Sequence, residues 1–78
     1  MYTYVVCELQ NGVIGGNSWV FNDPAKTDIE NQNAAMAKYH SVLAVAALSS
    51  VPVHSCVIIR DDGIQIASEG YDRRVVEE

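Results

Sequence analysis

Residues 2–10 alternate along the chain as a β-strand does and are rich in tyrosine, valine and threonine, which strands favour. Asn11-Gly12 follows. Asn-Gly between two strand-like segments favours a type I′ turn, because that turn needs positive φ at both central positions. Residues 13–21 are therefore predicted to return as the second strand of a hairpin, and Gly15-Gly16 within it indicates a bulge or a close backbone approach.

A two-residue turn fixes the register of this first hairpin. It pairs Leu9 with Ile14, Cys7 with Gly16, Val5 with Ser18 and Tyr4 with Trp19. One face then carries Val5, Cys7, Leu9, Ile14 and Val20, and the other carries Tyr2, Tyr4, Val6, Trp19 and Phe21.

A helix is predicted after the first hairpin. Thr27-Asp28-Ile29-Glu30 has the sequence of a capping box, although Asp23 with Pro24 at the first helical position is a second possible start. We favour Thr27 and expect the helix to reach about Leu48 through an alanine-rich segment. Its apolar stripe is predicted to follow Ile29, Met36, Leu43 and Ala47, with Tyr39, His40 and Ala46 beside it and Val42 and Val45 outside it.

A second hairpin is predicted after Pro52, which ends the helix. Residues 53–60 and 64–71 are its strands, and Asp62-Gly63 is its turn, although Asp61 allows a three-residue loop. The two-residue register pairs Ile59 with Ile66, Val57 with Ser68, Cys56 with Glu69 and His54 with Tyr71. One face carries Val53, Val57, Ile59, Ile64 and Ile66, and the other carries His54, Cys56, Ile58, Ala67 and Tyr71.

These elements predict an α+β fold of the order β-β-α-β-β, a mainly antiparallel four-stranded sheet with one helix packed on one face. We expect a single domain over residues 1–72 and a charged C-terminal tail over residues 73–78, which either extends the last strand or hangs free. The pattern leaves open whether the hairpins pair through their first strands or their last.

The apolar residues of this sheet outnumber those that one helix can cover. We expect the helix to cover Val5, Cys7, Leu9, Ile14, Val20, Val57, Ile59, Ile64 and Ile66. The opposite face would then expose Tyr2, Tyr4, Val6, Trp19, Phe21, Ile58 and Tyr71. An apolar patch of that size is typical of an interface, which predicts a homo-oligomer; the alternative is that the rings are partly exposed and the tail folds over them.

Charge and composition narrow the classes of partner. The net charge is −5 with five basic residues, which argues against non-specific nucleic-acid binding but permits a small anion or an acidic surface that occupies a basic groove on another protein. No apolar segment approaches the length of a membrane span and the first residues do not resemble a cleavable leader, so we expect a cytoplasmic protein. Cys7 and Cys56 fall on opposite faces, which predicts two reduced thiols.

Five residues are candidates for binding a small anionic ligand: Trp19, His40, His54, Arg60 and Arg73. A guanidinium beside an aromatic ring or imidazole suits a phosphate and a stacked base. Each residue also has a structural interpretation. His40 is then a histidine at the edge of the core, His54 forms a cross-strand pair with Tyr71, and the arginines balance nearby acids.

The sequence gives little support for catalysis. It contains no Ser-His-Asp or Cys-His arrangement with a supporting motif, no evident carboxylate pair and no phosphate-binding glycine loop ahead of a helix. The Cys and His residues do not have the spacing of metal ligands. We therefore expect a protein that is not an enzyme and has no cofactor.

The segments Ala37-Lys38-Tyr39-His40, Leu43-Ala44-Val45-Ala46-Ala47, Ser49, Pro52, His54, Asp62-Gly63 and Glu69-Gly70-Tyr71 together resemble those of a group of small proteins encoded by phages and prophages of Gram-positive bacteria. The resemblance covers most of the chain and implies the same hairpin–helix–hairpin layout in a viral setting. Such a setting favours a counter-defence protein or an assembly factor. Together with the expected oligomer, the aromatic face and the few Arg and His residues near one edge, it leads us to expect a homo-oligomer that sequesters a nucleotide-like immune signal in the host cytoplasm. The alternative is an acidic protein–protein module that inhibits a host defence complex or assists assembly of the phage particle.

Overall fold

The computed structural model describes residues 1–74, with residues 14–16 described by their backbone alone. The elements are β1 (Tyr4–Gln10), β2 (Val13–Phe21), α1 (Asp28–Leu48), β3 (Val53–Arg60) and β4 (Gln65–Asp72). The four strands form one antiparallel sheet in the order β2-β1-β3-β4, and α1 packs on one of its faces. The predicted α+β fold is confirmed, and the two hairpins pair through their first strands.

The first hairpin has the predicted turn. Asn11 and Gly12 both have positive φ, 55° and 80°, and the Leu9–Ile14 pair is as predicted. Beyond it the predicted register is wrong. The structure pairs Cys7 with Ser18, Val5 with Val20 and Tyr4 with Phe21, because the register shifts between Cys7 and Leu9, opposite Gly15-Gly16. The shift is of two residues, so the residues predicted to share a face still share one.

The second hairpin has the three-residue loop that Asp61 allows. The Gly63 amide donates to the Arg60 carbonyl at 2.8 Å, and the Arg60 amide donates to the Ile64 carbonyl at 2.8 Å. Gly63 has φ 88°, as the last residue of such a loop requires. The predicted pairs of His54, Cys56 and Val57 are confirmed, but Ile59 pairs with Gln65 instead of Ile66 because the loop adds a bulge.

The helix begins and ends where the sequence predicts. The Thr27 hydroxyl accepts from the Glu30 amide at 3.2 Å, and the Thr27 amide donates to a Glu30 carboxylate oxygen at 3.0 Å. Asp23 belongs to the preceding loop, which the buried Asn31 side chain holds by bonding the Asp23 amide and carbonyl. Nowhere in residues 1–74 does a helix have the length and apolar character needed to cross a membrane.

The helix covers the face that the sequence analysis expected it to leave open. The core consists of Tyr4, Val6, Ala35, Tyr39, Val42, Leu43, Cys56 and Ile58, with Trp19 and Phe21 packed against it. The predicted assignment of the faces is therefore wrong. Both faces are apolar, so alternation separates them without showing which one is covered. Tyr4 favours the observed choice, because its buried ring reaches the start of α1 and its hydroxyl donates to Asp28 Oδ2 at 2.9 Å.

The buried stripe of α1 also differs from the predicted one. Its buried residues are Asn31, Ala35, Tyr39, Val42, Leu43 and Ala46. Ile29 is 65% exposed, and Ala47 and His40 are exposed as well. The small side chains of Ala35 and Ala46 are part of this buried stripe. Because apolar residues lie all round the helix, periodicity alone does not select the side that contacts the sheet.

The side of the sheet away from α1, which we call the open face, bears the side chains of every second residue of each strand, those that alternate with the core residues. Its described residues on the first three strands are Val5, Cys7, Leu9, Ser18, Val20, Val53, Ser55, Val57 and Ile59. All of them are uncharged. Cys7 lies here and Cys56 lies under the helix, and both thiols are free, as the sequence predicts.

Candidate ligand-binding cleft

A cleft of about 210 Å³ opens between the first hairpin and α1. β1 and β2 form one wall, and one side of the helix forms the other. The lining residues are Glu8, Asn17, Trp19, Lys38, Ser41, Val42 and Val45. The cleft thus combines one aromatic ring, one cation, one carboxylate and an apolar wall.

Lys38 lies over the ring of Trp19. Its ammonium nitrogen is 4.3 Å from the ring centroid, within the range of a cation–π interaction. Trp19 is half-buried on β2 because it packs against the core. A positive charge is therefore held at a defined place beside the only tryptophan of the chain.

Glu8 is the charged residue of the cleft that is most deeply buried, with 8% of its surface exposed. Its Oε1 accepts a hydrogen bond from Asn17 Nδ2 at 3.0 Å. This bond, together with the bond and positive field of His54, lowers the pKa of the Glu8 carboxyl, although burial acts in the opposite direction. Glu8 is consequently an ionised carboxylate at neutral pH.

His54 lies beside Glu8 across the β1–β3 pairing and is 3% exposed. Its Nε2 is 2.6 Å from Glu8 Oε2. Since an ionised carboxylate only accepts, Nε2 is the donor. The other ring nitrogen, Nδ1, is buried without a hydrogen-bond partner among the described residues. His54 therefore positions the Glu8 carboxylate and does not itself line the cleft.

The structure places Arg60 away from this cleft. It pairs with Tyr4 at the other end of β1, four residues and roughly 13 Å along the strand from Glu8. Its guanidinium makes two hydrogen bonds to Asp62, at 2.8 and 2.6 Å, and lies 4.1 Å from the Tyr2 ring centroid. Arg60 is thus engaged within its own hairpin and with the N-terminal segment.

His40 and Arg73 lie at two further places. His40 is exposed on α1 with its ring edge-on to Tyr39. The Arg73 amide donates to the Pro52 carbonyl at 2.7 Å, and its guanidinium donates to the carbonyls of Val51 and Ala46. The first residue of the predicted tail is therefore docked on the end of the helix, while residues 75–78 lie outside the described part of the chain. Of the five predicted ligand contacts, Trp19 lines the cleft and His54 supports it.

Sequence reasoning missed Glu8, Asn17 and Lys38. A signal for Glu8 was present, because it shares its strand phase with Tyr4 and Val6 and so places a charge on an otherwise apolar face. A buried carboxylate needs partners, which marks such a position as a candidate site. Asn17 and Lys38 gave no comparable signal, since polar residues are common at edge strands and on helix surfaces.

Cys56 is fully buried under the helix and does not line the cleft. Burial raises the pKa of the Cys56 thiol to about 11, so this cysteine is not a thiolate nucleophile at neutral pH. Within residues 1–74 there is no group of three or more His, Cys, Asp or Glu side chains placed to hold a metal ion. What the cleft offers a ligand is a ring to stack on, an ammonium and a fixed acceptor.

Over 76 residues, the sequence is 34% identical to a UDP-N-acetylglucosamine 1-carboxyvinyltransferase of a Nitratiruptor species. The match covers 95% of this chain and 18% of that protein, so the chain spans less than a fifth of the length of the transferase. No family model matches the sequence, and no solved structure matches it. A likeness to so small a part of the transferase does not carry that enzyme's activity over to this chain.

Proposed function

We propose that this chain is a non-enzymatic, phage-type counter-defence protein, a homo-oligomer that sequesters a small anionic, nucleotide-like immune signal in the cytoplasm of the bacterial host. The observation that carries the proposal is the cleft in which Lys38 lies 4.3 Å from the centre of the Trp19 ring. Tryptophan supplies a stacking surface for a base, and the ammonium supplies a counter-charge for a phosphate.

The charges of the cleft support a ligand of mixed character. Lys38 attracts an anionic group, whereas the ionised Glu8 requires hydrogen-bond donors from whatever binds beside it. A nucleotide has both, with the phosphate at one end and N–H groups on the base. A simple inorganic anion would meet the repulsion of Glu8 without satisfying it.

The size of the cleft limits how much of a ligand one chain encloses. About 210 Å³ is below the roughly 300–1,000 Å³ of pockets that enclose most of a drug-sized ligand. The cleft of one chain therefore leaves part of a nucleotide-sized ligand outside. Self-association is supported by the open face, whose described residues on β1, β2 and β3 are uncharged. Two copies of a chain of net charge −5 can meet there with few like charges in contact, since Asp72 on β4 adds a charge only at the edge.

Binding is tested by titrating the protein with a panel of cyclic dinucleotides and ADP-ribose derivatives. Trp19 is the only tryptophan, so its fluorescence reports directly on the cleft. A true ligand at 100 times its dissociation constant should also raise the free energy of unfolding by about 2.7 kcal/mol. If no compound changes either the fluorescence or the melting temperature, the proposed function is wrong.

The two lysines of the chain provide a matched pair of variants. We expect Lys38→Met to weaken binding of the best compound by about 10-fold or more, because a charge-assisted contact to the phosphate is lost. Lys26→Met removes the same charge from the exposed loop before α1 and should leave the affinity within about 2-fold. Equal weakening by both variants would mean that only the net charge matters and that the cleft is not the site.

The open face also favours the second candidate function, an acidic protein–protein module that inhibits a host defence complex or assists particle assembly. In that case the apolar strands would be covered by a different protein. A pull-down from infected cells that yields one stable host partner, together with a monomeric free protein, would favour this candidate over the first.

A further inference from the structure

The acceptor capacity of Glu8 is not fully used by the residues that the structure describes. An ionised carboxylate offers about four acceptor positions, two on each oxygen. Asn17 Nδ2 occupies one on Oε1 at 3.0 Å, and His54 Nε2 occupies one on Oε2 at 2.6 Å. Each oxygen therefore keeps one position, and the side chain, 11% exposed, borders the cleft.

The orientation of this carboxylate is fixed from both sides. Asn17 holds it from β2 and His54 holds it from β3, so it does not rotate to suit a ligand. A group that binds beside it must present its own donors at the spacing of the two oxygens. Two adjacent N–H groups on a rigid plane match that fork, as in other bidentate pairs.

We propose that the cleft selects guanine among the nucleobases and that Glu8 is the specificity-determining residue. This inference rests on the proposed function and names its ligand class more narrowly. Guanine presents a ring N–H and an exocyclic amino group side by side. Adenine places an acceptor nitrogen beside its amino group, which would face a carboxylate oxygen, and hypoxanthine has the ring N–H without the amino group.

The other cleft residues fit this placement of the base. Trp19 provides the surface on which the purine stacks, and Val42 and Val45 form the apolar wall of the same cleft. The Lys38 ammonium, which lies over the Trp19 ring in the free protein, leaves the ring face for the phosphate. The purine then takes its place over the ring.

The test compares GMP, IMP and AMP in titrations followed by Trp19 fluorescence at one ionic strength. The three carry the same sugar and phosphate, so differences in affinity report on the edge of the base. We expect GMP to bind at least about 10-fold more tightly than IMP or AMP, as the loss of one hydrogen bond to a charged group implies. Affinities within about 2-fold of each other, or no response to any of the three, would overturn the guanine assignment. The proposed function is decided separately, by the panel of cyclic dinucleotides and ADP-ribose derivatives.

A variant adds an independent readout. In Glu8→Gln the amide replaces one acceptor oxygen by a donor, and we expect the preference for GMP over AMP to fall to less than about 2-fold. Glu69→Gln removes the same charge from an exposed position on β4 and should keep the preference. The melting curve of Glu8→Gln shows whether the variant folds. A folded variant that still prefers GMP about 10-fold would show that Glu8 does not determine the specificity. If the variant does not fold, the comparison of the three nucleotides on the unaltered protein decides.

Discussion

Glu8 occupies a position in β1 that strand alternation assigns to the helix-covered face, next to Val6 and Tyr4 along that face. A carboxylate there survives because two neighbouring strands each supply a donor, Asn17 from β2 and His54 from β3. Removal of either donor leaves a buried charge with fewer bonds, which is costly. The residue therefore depends on the sheet around it more than on its neighbours in sequence.

Asn17→Ala should raise the pKa of the Glu8 carboxyl, because the bond from Asn17 is the largest cause of its lowering. A lowered native pKa stabilises the fold at pH above the ordinary value of 4.5, and this contribution is lost as pH falls through the native pKa. The variant should thus gain less stability between acid and neutral pH than the unaltered protein.

NMR of the Glu8 carboxyl carbon through an acid titration measures this pKa directly, and unfolding in urea at several pH values measures its effect on stability. Asn33→Ala, on the exposed side of α1, is the matched control. An unchanged Glu8 pKa in Asn17→Ala would show that the Asn17 bond does not hold the carboxylate.

The partners of single residues were predictable only where the contact is local. The His54–Tyr71 pair follows from one hairpin turn and was predicted correctly. The Glu8–His54 contact requires β1 to lie beside β3, and no local pattern specifies that pairing. Strand alternation grouped Trp19 with Tyr4 and Val6, as the structure does, but it did not show that α1 would cover this face or that Lys38 would lie over the ring of Trp19.

Among the elements, α1 shows which parts of the fold its sequence determines. Its start is set by the capping box of Thr27 and Glu30, which involves residues three apart and was predicted. Its contact stripe depends on which sheet face it meets, and that prediction was wrong because both faces are apolar. Its C-terminal turn contains no basic residue, and the missing cation comes from Arg73, beyond the end of β4.

Arg73→Met should destabilise the fold by roughly 1–2 kcal/mol, because the last carbonyls of the helix lose a cationic donor and the negative end of the helix dipole loses a positive charge. Urea unfolding measures the change. Arg74→Met is the matched control, since Arg74 is 65% exposed and pairs only with the neighbouring Asp72 among the described residues. We expect it to change stability by less than about 0.5 kcal/mol; equal effects of the two variants would contradict the docking of Arg73.

At the scale of the whole molecule, the sheet has a helix on one side and the open face on the other, and the described residues of that face on β1, β2 and β3 are uncharged. Small chains of this length bury only about 60% of their unfolded surface, so a partner on the open face would add burial that one helix does not supply. Self-association was predicted from the aromatic face. The structure buries most of that face under α1, which leaves the aliphatic face as the surface available for it.

Val20→Lys should convert the proposed homo-oligomer into an 8.5 kDa monomer, because it places a charge on the open face where Val20 is 59% exposed. Ile29→Lys makes the same change at a similarly exposed position on α1, 65% exposed, and should leave assembly intact. Native mass spectrometry at micromolar concentration distinguishes the species. An unaltered protein that is itself monomeric would overturn self-association, and an oligomeric Val20→Lys would assign the interface to another surface.

The order β2-β1-β3-β4 has a consequence for how the chain reaches its native state. Each hairpin joins strands that are adjacent in sequence, so each closes over a short loop at a small entropic cost. The pairing of β1 with β3 joins strands that precede and follow the helix in the sequence. It therefore forms only after a much longer segment of chain has been ordered. Folding is therefore expected to be limited by the meeting of two locally formed halves, and the helix that links them shortens the search as it forms.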